Sequence, residues 1–231
     1  METLWRGGPE YDTANAFPLG MDSILLADFA NAVGARRAID LGCGAGIIAL
    51  LLAWNNAALT VDGVEISPDA ADTARENMRR NGLDTRVTVV TADLRDGVSV
   101  ARGAYDLAVA NPPYFAVERG SGGASQARSE SSCTLAELCA AAAHALRRGG
   151  SFALVHRPER LAELFAELQR AGLEPKRLRL AQRDGTSAPN LALVEARRGG
   201  GVGLTIEPPL LLTENGRDSD EISRIYRRQI N

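Results

Sequence analysis

Three cysteines, Cys43, Cys133 and Cys139, and two histidines are all that 231 residues contain of either type. Neither is spaced as metal ligands are, so no disulfide and no zinc site are expected. Long apolar runs are missing too. The longest, Ile47 to Trp54 and Ala140 to Ala145, fall far short of the roughly 18 residues of a spanning helix and read as buried helices, which excludes a membrane partner. The opening Met-Glu-Thr-Leu-Trp-Arg-Gly has no basic stretch followed by an apolar one, so no secretory signal is expected and the protein is placed in the cytoplasm. Lysine occurs once, at Lys176.

What is present is ordinary for a globular chain: 45% hydrophobic and 24% charged residues, at a length that suits one sizeable domain rather than two. The net charge of −3 argues against indiscriminate binding of nucleic acid, yet it conceals an asymmetry. The part before Arg147 is acidic in sum, and the part from Arg147 onward is mildly basic, with Lys176, Arg177, Arg179, Arg183, Arg197, Arg198, Arg224, Arg227 and Arg228. Two readings stand: a solvated arginine-rich surface, or a local face that contacts phosphates.

Short β-branched runs alternate with longer amphipathic stretches, the pattern of a parallel sheet covered by helices. Seven strands are predicted: Arg37 to Leu41, Leu59 to Ile66, Val87 to Ala92, Tyr105 to Ala110, Ser151 to His156, Arg177 to Gln182 and Leu191 to Ala196. Ser67 as a cap, Pro68 in the first turn and Asn81-Gly82 as a stop predict a helix over Pro68 to Arg80. Thr134 to Glu137 is a capping box, opening a helix that runs to Arg147-Arg148 and stops at Gly149-Gly150. Asp22 or Ser23 caps an earlier helix carrying Ile24, Leu25 and Phe29. Glu118 to Ser132, polar and glycine-rich, reads as a mobile loop, and Arg197 to Gly203 as a wide turn between the last two sheet strands.

Asp40-Leu41-Gly42-Cys43-Gly44-Ala45-Gly46 ends a strand and opens a buried helix, so the glycines let the backbone turn tightly and approach a ligand. Such turns also bind dinucleotides, although the spacing here is Gly-x-Gly-x-Gly. Cys43 reads as a packing residue rather than a nucleophile. Glu65 and Ile66 close the next strand, where a carboxylate can accept from both hydroxyls of a ribose. Ala92 and Asp93 close the third, with Asp93 either accepting from an adenine amino group or capping a turn.

Asn111-Pro112-Pro113-Tyr114 follows the fourth strand directly. An amino nitrogen on an aromatic ring or an amide is a poor nucleophile, because its lone pair is delocalised into the adjoining π-system. Two acceptors, the Asn111 side-chain oxygen and the Pro112 carbonyl, can hold its two N–H bonds so that the lone pair faces an electrophilic methyl group. The paired prolines stiffen the backbone that carries that carbonyl, and Tyr114 offers a face for a flat base. A proline-rich turn braced by an asparagine is the plainer reading, which the position after the fourth strand of a glycine-loop protein disfavours.

With these motifs in this order, the chain resembles the class I S-adenosylmethionine-dependent amino methyltransferases over Phe17 to Ala196. The resemblance implies a Rossmann-like α/β fold: a seven-stranded, mostly parallel sheet with its last strand antiparallel and helices on both faces. It implies S-adenosyl-L-methionine as the donor, already activated as a sulfonium, with no catalytic metal. It casts Asn111, Pro112, Pro113 and Tyr114 as catalytic, and Asp40, Gly42, Cys43, Gly44, Gly46, Glu65, Ile66, Ala92, Asp93 and Asn111 as the donor site.

Within that class, Phe17 to Ala27 and the tail Glu214 to Arg228 are similar to the bacterial valine-tRNA adenine-N6 methyltransferases. This implies tRNA as partner and adds Gly20 and Asp22 as contacts to the donor's methionine part. It divides a single domain into an N-terminal segment and helix over the cofactor (1–35), a catalytic core (36–197) and a C-terminal extension (198–231). Glutamine methylation of a release factor, guanine-N2 methylation of ribosomal RNA, and a non-catalytic nucleotide- or RNA-binding module remain open. Whether the chain acts as a monomer or a homodimer is not legible.

Overall fold

In a computed structural model of the chain, residues 2–14, 16, 18–30, 32–96, 100–112 and 133–227 are described, and they realise the expected alternation. A hairpin of β1 (Glu2–Thr3) and β2 (Glu10–Tyr11) precedes α1 (Met21–Phe29). Then follow β3 (Arg37–Leu41), α2 (Ile47–Asn55), β4 (Thr60–Glu65), α3 (Pro68–Arg80), β5 (Val87–Thr91) and β6 (Tyr105–Ala110). The second half runs through α4 (Leu135–Ala145), β7 (Leu146–His156), α5 (Leu161–Arg170), β8 (Leu173–Gln182) and β9 (Pro189–Arg198). Short strands β10 (Thr205–Ile206) and β11 (Leu210–Leu211), a hairpin of β12 (Thr213–Glu214) and β13 (Arg217–Asp218), and α6 (Asp220–Arg227) complete it.

All seven predicted strands lie in one sheet, in the order β8-β9-β7-β6-β3-β4-β5. Strands β3 to β7 pair in parallel, whereas β9 is antiparallel to both β7 and β8. The reversal follows from the short connection 183–188, which has no room for a crossover helix. There the Asp184 carboxylate accepts from the Thr186 amide and from the Thr186 and Ser187 hydroxyls, closing the turn. The glycine-rich turn after Arg198 leads to β10, and β10 and β11 pair in parallel along the outer edge of β8, so the sheet has nine strands.

Alternation along each strand sorts the core onto two faces. Leu107 and Val109 of β6 and Ala153 and Val155 of β7 meet Leu25 and Leu26 of α1, Leu50 of α2, Met78 of α3 and Ile225 of α6. Their neighbours Ala108, Ala110, Phe152 and Leu154 meet Leu138 and Ala142 of α4 and Leu164 and Leu168 of α5. Helix α2 is buried from Ile47 to Ala53, as its unbroken apolar run requires.

Helix α3 has the predicted bounds, with Ser67 Oγ accepting from the Ala70 amide, and the Thr134–Glu137 capping box is present. Two boundaries differ. Helix α4 ends at Ala145, because Leu146 is already extended (ψ 141°) and pairs with Tyr105 of β6. Arg147 therefore serves no helix end; it reaches Asp106 at 2.6 Å. Helix α1 starts from Gly20 without a side-chain cap, leaving Ser23 for another partner. Phe17, Pro113, Tyr114, the Glu118 to Ser132 segment and Arg228 lie outside the described residues.

Candidate functional site

Parallel strands bring their carboxyl ends to one edge of the sheet, and the sequence motifs meet there. Asp40 pairs with Gly63 of β4 and Val109 of β6, while Glu65 pairs with Thr91 of β5. Asn111-Pro112, the glycine loop, Glu65-Ile66 and Ala92-Asp93 thus follow one another in that order along the edge.

The loop is held by its own amides. Gly42 and Cys43 N–H donate to the Val64 carbonyl at 2.9 and 3.0 Å, and Gly44 N–H donates to Glu65 Oε2 at 2.9 Å. The other Glu65 oxygen accepts from Ser67 N–H at 2.9 Å, so the carboxylate is clipped in place by two backbone donors. Gly44 adopts φ +54° with nothing within 4 Å of where a Cβ would stand, which leaves open space beside the loop. Gly46, at φ +77°, is different: a Cβ there would lie 2.9 Å from Met78 Cε and 3.1 Å from Ala74 Cβ of α3.

The Cys43 side chain is a packing group. Its Sγ fills the space a Cβ on Gly63 would need, at 2.9 Å, and burial pushes the thiol pKa well up. Ile66 is 52% exposed beside Glu65, an apolar surface of the kind a flat base covers.

Asp40 is fully buried behind the loop. Its Oδ2 accepts from Ala49 N–H at 3.2 Å, an amide in the first turn of α2, and its Oδ1 makes no hydrogen bond. Burial raises its carboxyl to about 7, the Ala49 bond opposing the rise and the Glu65 charge adding to it. An unfolded aspartate ionises near 4, so its native advantage is complete below that pH and is lost as pH climbs through about 7. The ligand-free protein is expected to lose up to about 4 kcal/mol of stability from this one group over that window. Urea midpoints from pH 4 to 8 should therefore fall less steeply for Asp40→Asn than for the parent; parallel curves would show that ionising Asp40 costs nothing.

Asn111 follows β6 and is half-buried. Its Nδ2 donates to Ser23 Oγ of α1 at 3.1 Å, so the nitrogen end of the amide is held on that helix and the acceptor end is defined. The same bond brings the start of α1, with Gly20 and Asp22, alongside Asn111.

Asp93 is committed more heavily than its sequence context suggests. Its Oδ1 accepts from Arg95 N–H at 2.9 Å, closing the turn Leu94–Asp96, and its two oxygens grip the Arg95 guanidinium. The hydrogen bonds from Arg95 hold the Asp93 carboxyl down at about 2. The turn-capping role is therefore realised, and any contact to adenine has to share this carboxylate with Arg95.

Among the described residues, the arginines of the later half do not form one face. Arg177 pairs with Glu195 and Glu207 and stacks over Phe29, and Arg179 binds Glu221 through both terminal nitrogens. Because β9 runs backwards, Arg197 and Arg198 lie opposite Ser151 and Leu173, at the amino-terminal edge and remote from Asn111. Arg183, just beyond Gln182, stands at the carboxyl edge, as does Arg157 after β7.

Three residues the motif reading passed over contribute: Ser23, Arg95 and Asn77. Only Asn77 left a sequence signal, being a poor helix former in the interior of a strongly predicted helix. Among the described residues no group of three or more histidines, cysteines or acids could hold a metal, and no helix is long and apolar enough to cross a membrane.

The family described as methyltransferase small domain matches residues 20–171. A tRNA1(Val) (adenine(37)-N6)-methyltransferase of Escherichia coli O157:H7 is 35% identical over 156 residues, 66% of this chain and 63% of that protein. The protein of the same description from Shigella dysenteriae is 34% identical over the same shares. Among solved structures, a predicted O-methyltransferase from Agrobacterium tumefaciens superposes with a TM-score of 0.73 at 24% identity, covering 89% of this chain and 95% of that one. This last likeness speaks to the fold alone.

Proposed function

The chain belongs to the methyltransferase small domain family, and from that premise we propose that it methylates the N6 amino nitrogen of an adenine in tRNA, beside the anticodon of valine tRNA, with S-adenosyl-L-methionine as donor. The observation that carries the reading is the meeting, on one sheet edge, of the Glu65–Gly44 clip with an Asn111 amide whose nitrogen end is held by Ser23.

The residues fit such a donor. Each clipped Glu65 oxygen keeps a lone pair for a ribose hydroxyl, Ile66 offers a face to adenine, and the open side of Gly44 admits a chain close to the backbone. The electrostatics favour a cation. The Glu65 carboxylate stands beside the open side of Gly44, and Asp40, buried behind the loop, engages the Ala49 amide in the first turn of α2. A bound sulfonium supplies a methyl group ready for displacement.

Asn111 and Pro112 then act on the acceptor. The Asn111 oxygen and the Pro112 carbonyl accept the two N–H bonds of the adenine amino group, which turns its lone pair towards the methyl carbon and stabilises the positive charge growing on nitrogen. The resemblance gives Tyr114 the part of stacking on the base.

Incubating the full chain with radiolabelled donor and unmodified tRNA pools, followed by nucleoside analysis, tests the proposal. Label is expected in N6-methyladenosine and concentrated in valine tRNA. Label in methylglutamine or N2-methylguanosine would replace the reading with one of the alternatives.

A further inference from the structure

Helix α3 carries Asn77, and Asn81, four residues on, caps its carboxyl end on the same face. Residues Asp12 and Glu10 of the N-terminal segment, two apart in an extended chain, lie against them. Asn77 Oδ1 accepts from Asp12 N–H at 2.9 Å and its Nδ2 donates to the Asp12 carbonyl at 2.9 Å. Asn81 repeats the pattern one step along: Oδ1 accepts from Glu10 N–H at 2.9 Å, and Nδ2 donates to the Glu10 carbonyl at 2.7 Å. The helix thus presents side-chain amides that mimic the edge of a neighbouring strand.

The two differ in where the remaining Nδ2 hydrogen goes. In Asn81 it turns back to the Asn77 carbonyl within the helix. In Asn77 it donates to the carbonyl of Ala45, inside the glycine loop, at 2.9 Å. Asn77 is completely buried, and its three hydrogen bonds join α3, the N-terminal segment and the loop at one point. Gly46 packs on the same stretch of α3, against Ala74 and Met78, so the loop is set against this helix at both Ala45 and Gly46.

We infer that Asn77 is a positioning residue for the methyl donor, coupling the seating of the Glu10–Asp12 segment to the shape of the Gly44–Gly46 loop, while Asn81 anchors the segment alone. The inference rests on the reading of that loop as the donor site. Because the coupling is thermodynamic it acts in both directions: a loop held by donor holds the segment, and a seated segment favours the donor.

Matched substitutions separate the two asparagines. Asn77→Asp and Asn81→Asp each keep the oxygen that accepts from the segment's amide and each replace the donor with an oxygen facing carbonyls; only Asn77→Asp does so against Ala45. Calorimetric titration of the full chain with S-adenosylhomocysteine should give a dissociation constant raised roughly ten- to a hundredfold in Asn77→Asp and changed by less than about threefold in Asn81→Asp. At saturating donor, kcat of Asn77→Asp should stay within about threefold of the parent, the split expected of a group that shapes the site without touching the reacting atoms. Equal losses in both variants would overturn the coupling, as would a lower unfolding temperature in Asn77→Asp with donor affinity intact. Should Asn77→Asp fail to fold, amide exchange on the unmodified chain decides: S-adenosylhomocysteine should slow exchange at both Asp12 and Glu10, and unchanged rates would overturn the inference. Failure of the unmodified chain to bind S-adenosylhomocysteine would overturn the donor-site reading itself, whereas normal binding with both variants alike overturns the coupling only.

Discussion

Asn111→Ala is expected to lower kcat by a factor of about 10² to 10³ or more while donor affinity changes less than about twofold. The asymmetry follows from where the amide acts. Its oxygen meets the amino group only as the lone pair is drawn out of the ring, so its removal costs transition-state stabilisation rather than donor binding. Asn111 is half-buried and its Nδ2 donates to Ser23 Oγ, a bond whose loss should cost about 1 kcal/mol of stability. Asn111→Asp, which keeps an acceptor oxygen, should retain more activity than Asn111→Ala. Steady-state rates at saturating donor, with donor affinity by titration, read out both quantities. Loss of affinity in step with kcat would place Asn111 in the donor pocket and remove it from the chemistry.

Two alanine substitutions in the glycine loop should part company in the same assays. At Gly46 an added Cβ meets both a left-handed backbone and the Met78 and Ala74 side chains at 2.9 and 3.1 Å. Strain of roughly 1–2 kcal/mol from the conformation and roughly 1–3 kcal/mol from overpacking should lower the unfolding midpoint sharply, with donor affinity falling as the loop shifts. At Gly44 the conformation is also left-handed but the space is open. Gly44→Ala should cost about 1–2 kcal/mol of stability, yet it should weaken donor binding at least as much, because its methyl enters the space the donor is read to occupy. Donor affinity unchanged in Gly44→Ala would move the donor away from this loop.

The elements of the fold were legible because their determinants are local. Pro68 to Arg80 has its cap, its first-turn proline and its terminal Asn-Gly within a single stretch, and the helix has those bounds. The seven strands announce themselves as short apolar or alternating runs, and their order rests on resemblance because nothing local encodes which strand lies beside which. The α4 boundary slipped because Arg147-Arg148-Gly149-Gly150 looks like a helix stop, whereas pairing of Leu146 with Tyr105 had already taken the backbone into the sheet. Asp93 shows the same limit within the site: a carboxylate after a strand reads equally as a ligand or a turn cap, and Arg95, two residues on, engages it as a cap.

By itself the order of residues determined the chemistry on offer: a glycine turn that only left-handed backbone satisfies, acids at strand ends, and an asparagine set before two prolines. Those are properties of φ, ψ and functional groups, readable within a few residues. Tertiary structure alone decided the partners. It put Asp40 under the first turn of α2, gave Ser23 to Asn111, joined three segments through Asn77, and sent the arginines of the later half to opposite edges by reversing β9. Such pairings join residues many positions apart in sequence, and only closure of the sheet brings them within reach of one another.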